Sequence, residues 1–318
     1  MTSVQNRNSP DSPLNSTSVT FLVLQILAFL ISLCGMVGNG VVVWLLAFRV
    51  QRNPFSVYVL NLAVADFLFL LCLALMIYTM DFLQNREMHY VFYSVTYFAY
   101  ITSLSLLTVI SVQRCLSVLF PIWCKVHRPR HLSTVVCTLV WGLALLMITL
   151  LIYFLYTEVY GDDQDYENML TFLIILLLGL FMPIMILSSV VIFIQIQRRP
   201  RAWRQRSSRL FVIILVSVLV FLVCALPLGI FWTLTPLFKV QEYEYHLFKN
   251  LTRLTSSLSS SANPLIYFLV GRGRKSSLWE PLRAVLSRAL QEEPELGGKE
   301  MPSTNTNEVE STNHPCTV

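Results

Sequence analysis

From Phe55 to Met80 the chain reads FSVYVLNLAVADFLFLLCLALMIYTM, a run interrupted by one charged residue, Asp66. Crossing ~30 Å of hydrocarbon takes about 20 apolar residues in a helix. Lipid offers the backbone no hydrogen-bond partner, so such a run must bond within itself as a helix. Six further stretches contain no Asp, Glu, Lys or Arg: 12–48, 88–113, 132–157, 168–197, 210–238 and 254–271. Composition agrees, because 55% of the 318 residues are apolar and 13% charged, which excludes a water-soluble chain. An aromatic share of 12% excludes disorder. The predicted fold class is all-α, a bundle of seven transmembrane helices over 19–271.

The charges orient the bundle. Net charge is +5, and a basic balance suits either nucleic acid or a membrane surface. Placement decides for the membrane and against nucleic acid. Seventeen of the lysines and arginines fall on one side of the spans, including the six arginines at 198, 199, 201, 204, 206 and 209, and five fall on the other. The basic side is cytosolic. Residues 1–18 then lie outside the cell, in the plasma membrane's outer compartment, and the carboxyl end lies inside. The first thirty residues lack the pattern of a cleaved secretory signal. Asn15-Ser16-Thr17 is a glycosylation sequon on the outer side, with Asn15 the acceptor. Asn250-Leu251-Thr252 is a second, expected to be silent because it lies too near the seventh span.

Seven cysteines show no zinc spacing and no CxxC pair, so they are expected as free thiols rather than a disulfide framework. Residues 272–290 alternate basic residues with Leu278, Trp279, Leu282, Val285, Leu286 and Leu290, an amphipathic helix for the inner leaflet and its lipids. Residues 291–318 are polar and acidic, a disordered cytoplasmic tail.

Asp66 lies deep in its span, where an ionised carboxylate costs about 2.5–3.5 kcal/mol, so it must face the protein interior. It is either a structural polar contact or a site for a cation or proton, and an ionisable group at this depth favours the second. Asn39 and Asn263 are candidate partners for its lone pairs, with Ser103 and Ser259 as further donors or ligands. Asp66, Ser103, Ser259 and Asn263 together form a candidate sodium pocket, the ion acting as an allosteric modulator; no other cofactor is expected. Pro183, Pro227 and Pro264 fall inside spans and supply kinks. An ion- or proton-coupled transporter using Asp66 is the alternative on composition alone, but it would need more intramembrane polar groups and repeat symmetry. None of the five histidines lies in mid-span, so no enzyme is expected, and the seventh span has no lysine for a retinal pigment.

The arrangement resembles a rhodopsin-like G-protein-coupled receptor. The residues that carry the likeness are Gly38-Asn39, Leu62 to Asp66, Gln113-Arg114-Cys115, Trp141, Pro183, Phe221, Pro227 and Asn263-Pro264-Leu265-Ile266-Tyr267. Within that class it is similar to the Mas-related receptors, through Arg52-Asn53-Pro54-Phe55, the run from Arg114 to Trp123, His127-Arg128-Pro129-Arg130-His131-Leu132, Ser260-Ser261-Ala262-Asn263-Pro264 and Arg288-Ala289-Leu290. The resemblance implies activation of a heterotrimeric G protein through Arg114, Pro121, Phe221, Pro227, Asn263, Pro264 and Tyr267. It also implies receptor kinases and arrestin acting on tail serines and threonines.

Departures from the class carry their own expectations. Its usual Asp-Arg-Tyr is Gln113-Arg114-Cys115 here, so Arg114 lacks a neighbouring acid, and measurable basal signalling is expected. Ala225 stands where the class has a tryptophan and Val191 where it has a tyrosine, which points to shallow ligand binding. The cysteine that usually opens the third span is replaced near His89, so no disulfide pins the outer loop. That loop, from Glu158 to Asn168, carries Glu158, Asp162, Asp163, Asp165 and Glu167 with no Lys or Arg. Such a field concentrates cations, and a small or short-peptide cationic ligand is expected at Glu158, Asp165 and Glu167. Tyr97, Tyr100 and Trp232 would line the cavity with ring faces. Thr96, eighteen residues before Arg114, occupies the level where an amine receptor would carry aspartate. Arg253 and Lys249 keep an anionic or zwitterionic agonist open as the other ligand chemistry.

Overall fold

Asn53 and Pro54 show how this chain starts a helix. The Asn53 side chain accepts from the Ser56 amide at 2.6 Å, and the Asn53 amide donates back to the Ser56 hydroxyl at 2.9 Å. This reciprocal cap satisfies two otherwise orphaned donors, and Pro54 behind it needs none. The computed structural model describes residues 13–50, 53–79, 86–120, 131–160, 165–198, 241–271 and 281–290, with isolated positions at 124, 126 and 129 and short pieces between 212 and 224.

The helices are α1 (Pro13–Phe48), α2 (Pro54–Tyr78), α3 (Arg86–Leu119), α4 (Leu132–Tyr160), α5 (Asp165–Arg198), α6 (Leu215–Cys224), α7 (Glu242–Gly271) and α8 (Leu282–Leu290). No strand occurs among the described residues. α3 is the hub, packed against α2, α4 and α5, while α1 is wedged between α2 and α7. Leu62, Leu104, Leu106 and Met185 are fully buried where these helices meet. Leu139, Leu143 and Leu146 on α4 stay exposed, as the lipid face of a spanning helix requires.

Helices outrun the charge-free stretches that announced them. α4 and α5 leave only 161–164 between them, so most of the segment expected as an acidic outer loop is helical. Asp165 and Glu167 sit in the first turn of α5, where the helix dipole favours negative charge. Likewise α7 begins at Glu242 rather than 254, with Glu242 and Glu244 in its first turn. α1 begins at Pro13, which puts Asn15 in its opening turn instead of ahead of the helix.

Four described helices, Val19–Phe48, Pro54–Tyr78, Val91–Leu119 and Leu132–Leu150, are long and apolar enough to cross a membrane by themselves, and Gly179–Gln195 and Leu215–Cys224 are shorter apolar pieces. α7 falls outside that group because of its serines and asparagines, which are buried against the bundle rather than shown to lipid. Small residues let it approach closely. A Cβ added at Gly35 of α1 would collide with the Ser261 side chain and lie 2.7 Å from Leu70 Cδ1. The Ser261 hydroxyl donates to the Ile31 carbonyl at 3.2 Å across the same seam.

α8 turns most of its apolar side to the bundle, with Val285, Leu286, Ala289 and Leu290 buried and Leu282 exposed. Gly271 makes room for it, since a Cβ there would strike the Val285 carbonyl and come within 2.9 Å of Ala289. The first half of the expected amphipathic segment, 272–280, and the tail after 290 lie outside the described residues.

Candidate functional site

Asp66 is 0% exposed and bridges three helices. The Ser103 hydroxyl of α3 donates to its Oδ1 at 2.7 Å, and Asn263 Nδ2 of α7 donates to its Oδ2 at 2.7 Å. Ser260 adds a further side-chain hydrogen bond to the carboxylate. Two of the residues expected around Asp66 are therefore in place. Asn39 is not a donor to it, and Ser259 is buried while its neighbour Ser260 makes the contact.

Backbone chemistry explains where Asn39 goes instead. Pro264 has no amide hydrogen, so the carbonyl four residues earlier, Ser260, loses its helical donor. Asn39 Nδ2 donates to that carbonyl at 3.2 Å and to the Gly35 carbonyl at 3.0 Å. The carbonyl that Pro264 leaves open on α7 is thus tied to α1. Asn39 Oδ1 remains buried without a hydrogen-bond partner.

Toward the C-terminal end of α3, Arg114 is 5% exposed and its guanidinium carbon lies 3.7 Å from the centre of the Phe55 ring. Pro264 and Tyr267 are buried nearby in sequence on α7, Tyr267 within the main core. Pro183, expected to kink its span, is exposed on α5, whereas Met182 and Met185 beside it enter the core. A kink proline needs no burial to act, but its ring contributes no core contact here.

In its N-terminal half, aromatic rings follow one face of α3. Tyr93 and Tyr97 lie 6.0 Å apart, Tyr97 and Tyr100 6.5 Å, and Tyr100 and Phe69 6.1 Å. These spacings suit ring–ring contact. Tyr97 and Tyr100 are brought together, and one turn further in stands Ser103, the donor to Asp66. Tyr100 keeps a buried hydroxyl with no hydrogen-bond partner. On α7, Lys249 Nζ lies 5.9 Å over the Tyr245 ring and Arg253 is buried. Asn250 is buried too, so its sequon is shielded within the helix.

Glu158, Asp165 and Glu167 occupy the facing ends of α4 and α5, though their side chains lie outside the described residues. Pro121, Phe221, Pro227 and Trp232 also lie outside them, as does the side chain of Asn15. Cys34, Cys72, Cys115, Cys124, Cys137 and Cys224 are all free. No group of three or more His, Cys, Asp or Glu able to hold a metal occurs among the described residues.

Two contacts went unread in the sequence. Trp141 Nε1 donates to Asn61 Oδ1 at 3.0 Å, fastening α4 to α2. An uncharged amide in a span, like Asn61, is a weak signal that gains meaning only once its partner is known. Phe55 is the second, since nothing in its own stretch marks it as a platform for Arg114.

The seven-transmembrane receptor (rhodopsin family) profile matches residues 38–267. Mas-related G-protein coupled receptor member D of Macaca fascicularis is 50% identical over 293 residues, covering 91% of each chain. The Homo sapiens member D is 46% identical over 93% of each. Proto-oncogene Mas of Mus musculus is 37% identical over 91% of this chain and 90% of its own. These are receptors and not enzymes, and the transporter alternative falls with them. The chain belongs to the rhodopsin family of seven-transmembrane receptors and, within it, to the Mas-related G-protein-coupled receptors.

Proposed function

We propose that this receptor takes a small or short-peptide cationic ligand at its outer face and passes the event through Asp66 to Arg114, where a heterotrimeric G protein docks. The observation that carries the reading is the bridge of α2, α3 and α7 at Asp66, set between the aromatic face of α3 and buried Arg114. Agonist acts by population shift: it binds the open-inside bundle better, and only that difference in affinity moves the equilibrium. Tyr97 and Tyr100 offer ring faces to the cation, with Trp232 as a third. Glu158, Asp165 and Glu167, on the adjoining ends of α4 and α5, would raise the local concentration of cations at the mouth.

A sodium ion in the resting state belongs to the same reading. Asp66 supplies the charge, Ser103 and Asn263 supply oxygens, and Ser260 takes the place expected of Ser259. The residues fit, because Asn39 Oδ1 is a buried acceptor without a donor, as a cation or a water in its shell would use. The ion would neutralise Asp66 while the bundle is closed. Activation swings α6 about Pro227, repacks Phe221 against Leu104, and opens an inner crevice beside Arg114, Pro121, Pro264 and Tyr267. Receptor kinases and arrestin would then act on the tail.

The amino terminus is outside and the carboxyl terminus cytosolic in this reading, in the plasma membrane, with Asn15 open to glycosylation. Epitope tags on both ends of the chain in unbroken cells test it: antibody must reach the amino tag alone. For function, cells expressing the receptor are screened with basic peptides and small amines, reading calcium and cyclic nucleotides. Arg114→Ala abolishes the agonist response at unchanged surface expression. If neutralising Glu158, Asp165 and Glu167 leaves potency unchanged for every cationic hit, the ligand assignment is wrong.

A further inference from the structure

The Asp66–Ser103 hydrogen bond is one rung between two antiparallel helices. Three residues on along α2 and three back along α3, the next rung is a pair of rings, Phe69 and Tyr100, with centroids 6.1 Å apart and planes tilted by 44°. Phe69 is buried, and Leu70, Leu73 and Ala99 join the pair in one apolar cluster, so the rings plug the polar centre on this side. One turn from the same rung in the other direction, α2 and α3 carry Leu62 and Leu107, both buried and without a polar atom in the side chain.

An apolar plug obstructs an ion. A monovalent cation that gives up water needs oxygen in exchange, and hydrocarbon supplies none. Tyr100 carries one: its hydroxyl is buried at the plug and has no hydrogen-bond partner. Leaving such a group unpaired costs stability, and phenylalanine at this position would keep the ring contact and avoid the cost. One turn from Ser103 on the same helix, Tyr100 is the next oxygen-bearing side chain for an ion approaching or leaving Asp66 along α3. Ring faces continue beyond it, Tyr97 at 6.5 Å from Tyr100 and Tyr93 at 6.0 Å from Tyr97, and a cation is attracted to such faces.

We propose that Tyr100 is a second station for the monovalent cation of the Asp66 centre, its hydroxyl oxygen holding the ion in transit as the Phe69–Tyr100 ring pair parts. The proposal rests on the reading that Asp66 binds sodium. Phe69 obstructs the passage and Tyr100 eases it, so the two side chains of one contact act in opposite directions on the rate of exchange. The carboxylate keeps its own partners, Ser103, Ser260 and Asn263, whichever ring is altered, so affinity at equilibrium is unchanged.

The test uses the purified full-length receptor and sodium chloride. Relaxation of the sodium NMR signal gives the exchange rate, and the sodium dependence of thermal unfolding gives the affinity. Tyr100→Phe keeps the ring, removes the oxygen and slows exchange on the order of tenfold, the effect on a barrier of one lost contact to a charge. Phe69→Ala opens the plug and speeds exchange; should it fail to fold, Phe69→Val is measured in its place. Both variants keep the sodium midpoint of wild type. A general loosening of the packing would speed both, so faster or unchanged exchange in Tyr100→Phe overturns the proposal, as does wild-type exchange in the Phe69 variant. A shifted sodium midpoint in Tyr100→Phe also overturns it, by placing Tyr100 among the ligands of Asp66 itself. Wild-type unfolding that ignores sodium rejects the ion site at Asp66, and the station with it.

Discussion

Asp66→Asn and Asp66→Ala differ in a way that isolates the polar bridge. Both remove an ionised carboxylate from mid-membrane, so the ~2.5–3.5 kcal/mol cost of placing that charge there cancels between them. Asn keeps the shape and one acceptor oxygen. Ala leaves the Ser103 hydroxyl and Asn263 Nδ2 both facing a void, where each had donated at 2.7 Å. A buried donor stranded in this way costs about 1–3 kcal/mol. Asn rescues at least one of them, so the alanine variant should be less stable than the asparagine variant by about that much. In melting temperature this is a shift on the order of 5 °C. The assay is thermal unfolding of the purified receptor, run in sodium chloride and in N-methyl-glucamine chloride at equal ionic strength. Wild type should be stabilised by sodium, by about 1.4 kcal/mol at ten times the dissociation constant. Neither variant should respond. Equal melting of the two variants would refute the donor argument, and sodium-dependent melting of Asp66→Asn would remove Asp66 from the ion site.

Three other perturbations follow from the packing. Gly35→Ala drives a methyl into Ser261 and Leu70 and should cost about 1–3 kcal/mol, lowering the melting temperature, while Gly142→Ala, with nothing within 4 Å, should be neutral or slightly stabilising. Asn53→Ala removes both the α2 cap and the bond to Leu290, so the loss should exceed the ~1 kcal/mol of an ordinary cap; amide exchange over 282–290 should accelerate with it, and unchanged exchange there would deny the α8 link. Trp141→Phe strands the Asn61 oxygen and should destabilise by about 1–3 kcal/mol, yet adding Asn61→Leu should recover most of that loss; additive losses in the double variant would show that the two residues do not act together.

The seven-helix architecture was legible because hydrocarbon thickness fixes a length, and the absence of Asp, Glu, Lys and Arg marks it directly. Helix ends were less so: once outside lipid, a helix continues while its sequence allows, as Glu242 and Glu244 let α7 do, and charge no longer reports its limit. The Asp66 centre was readable for a similar reason, since a lone carboxylate in a span demands partners, and Ser103 and Asn263 were the nearest in kind. Choosing Ser260 over Ser259 required the rotation of α7, which a run of adjacent serines conceals. Asn39 was placed on the wrong acceptor because side-chain oxygen was weighed and backbone oxygen was not. Pro264 had already exposed the Ser260 carbonyl, and an unpaired carbonyl in a dry bundle attracts an amide as surely as a carboxylate does. Phe55 could not be found this way at all. It satisfies every local rule as an ordinary apolar residue behind a proline, and the cation it meets belongs to another helix.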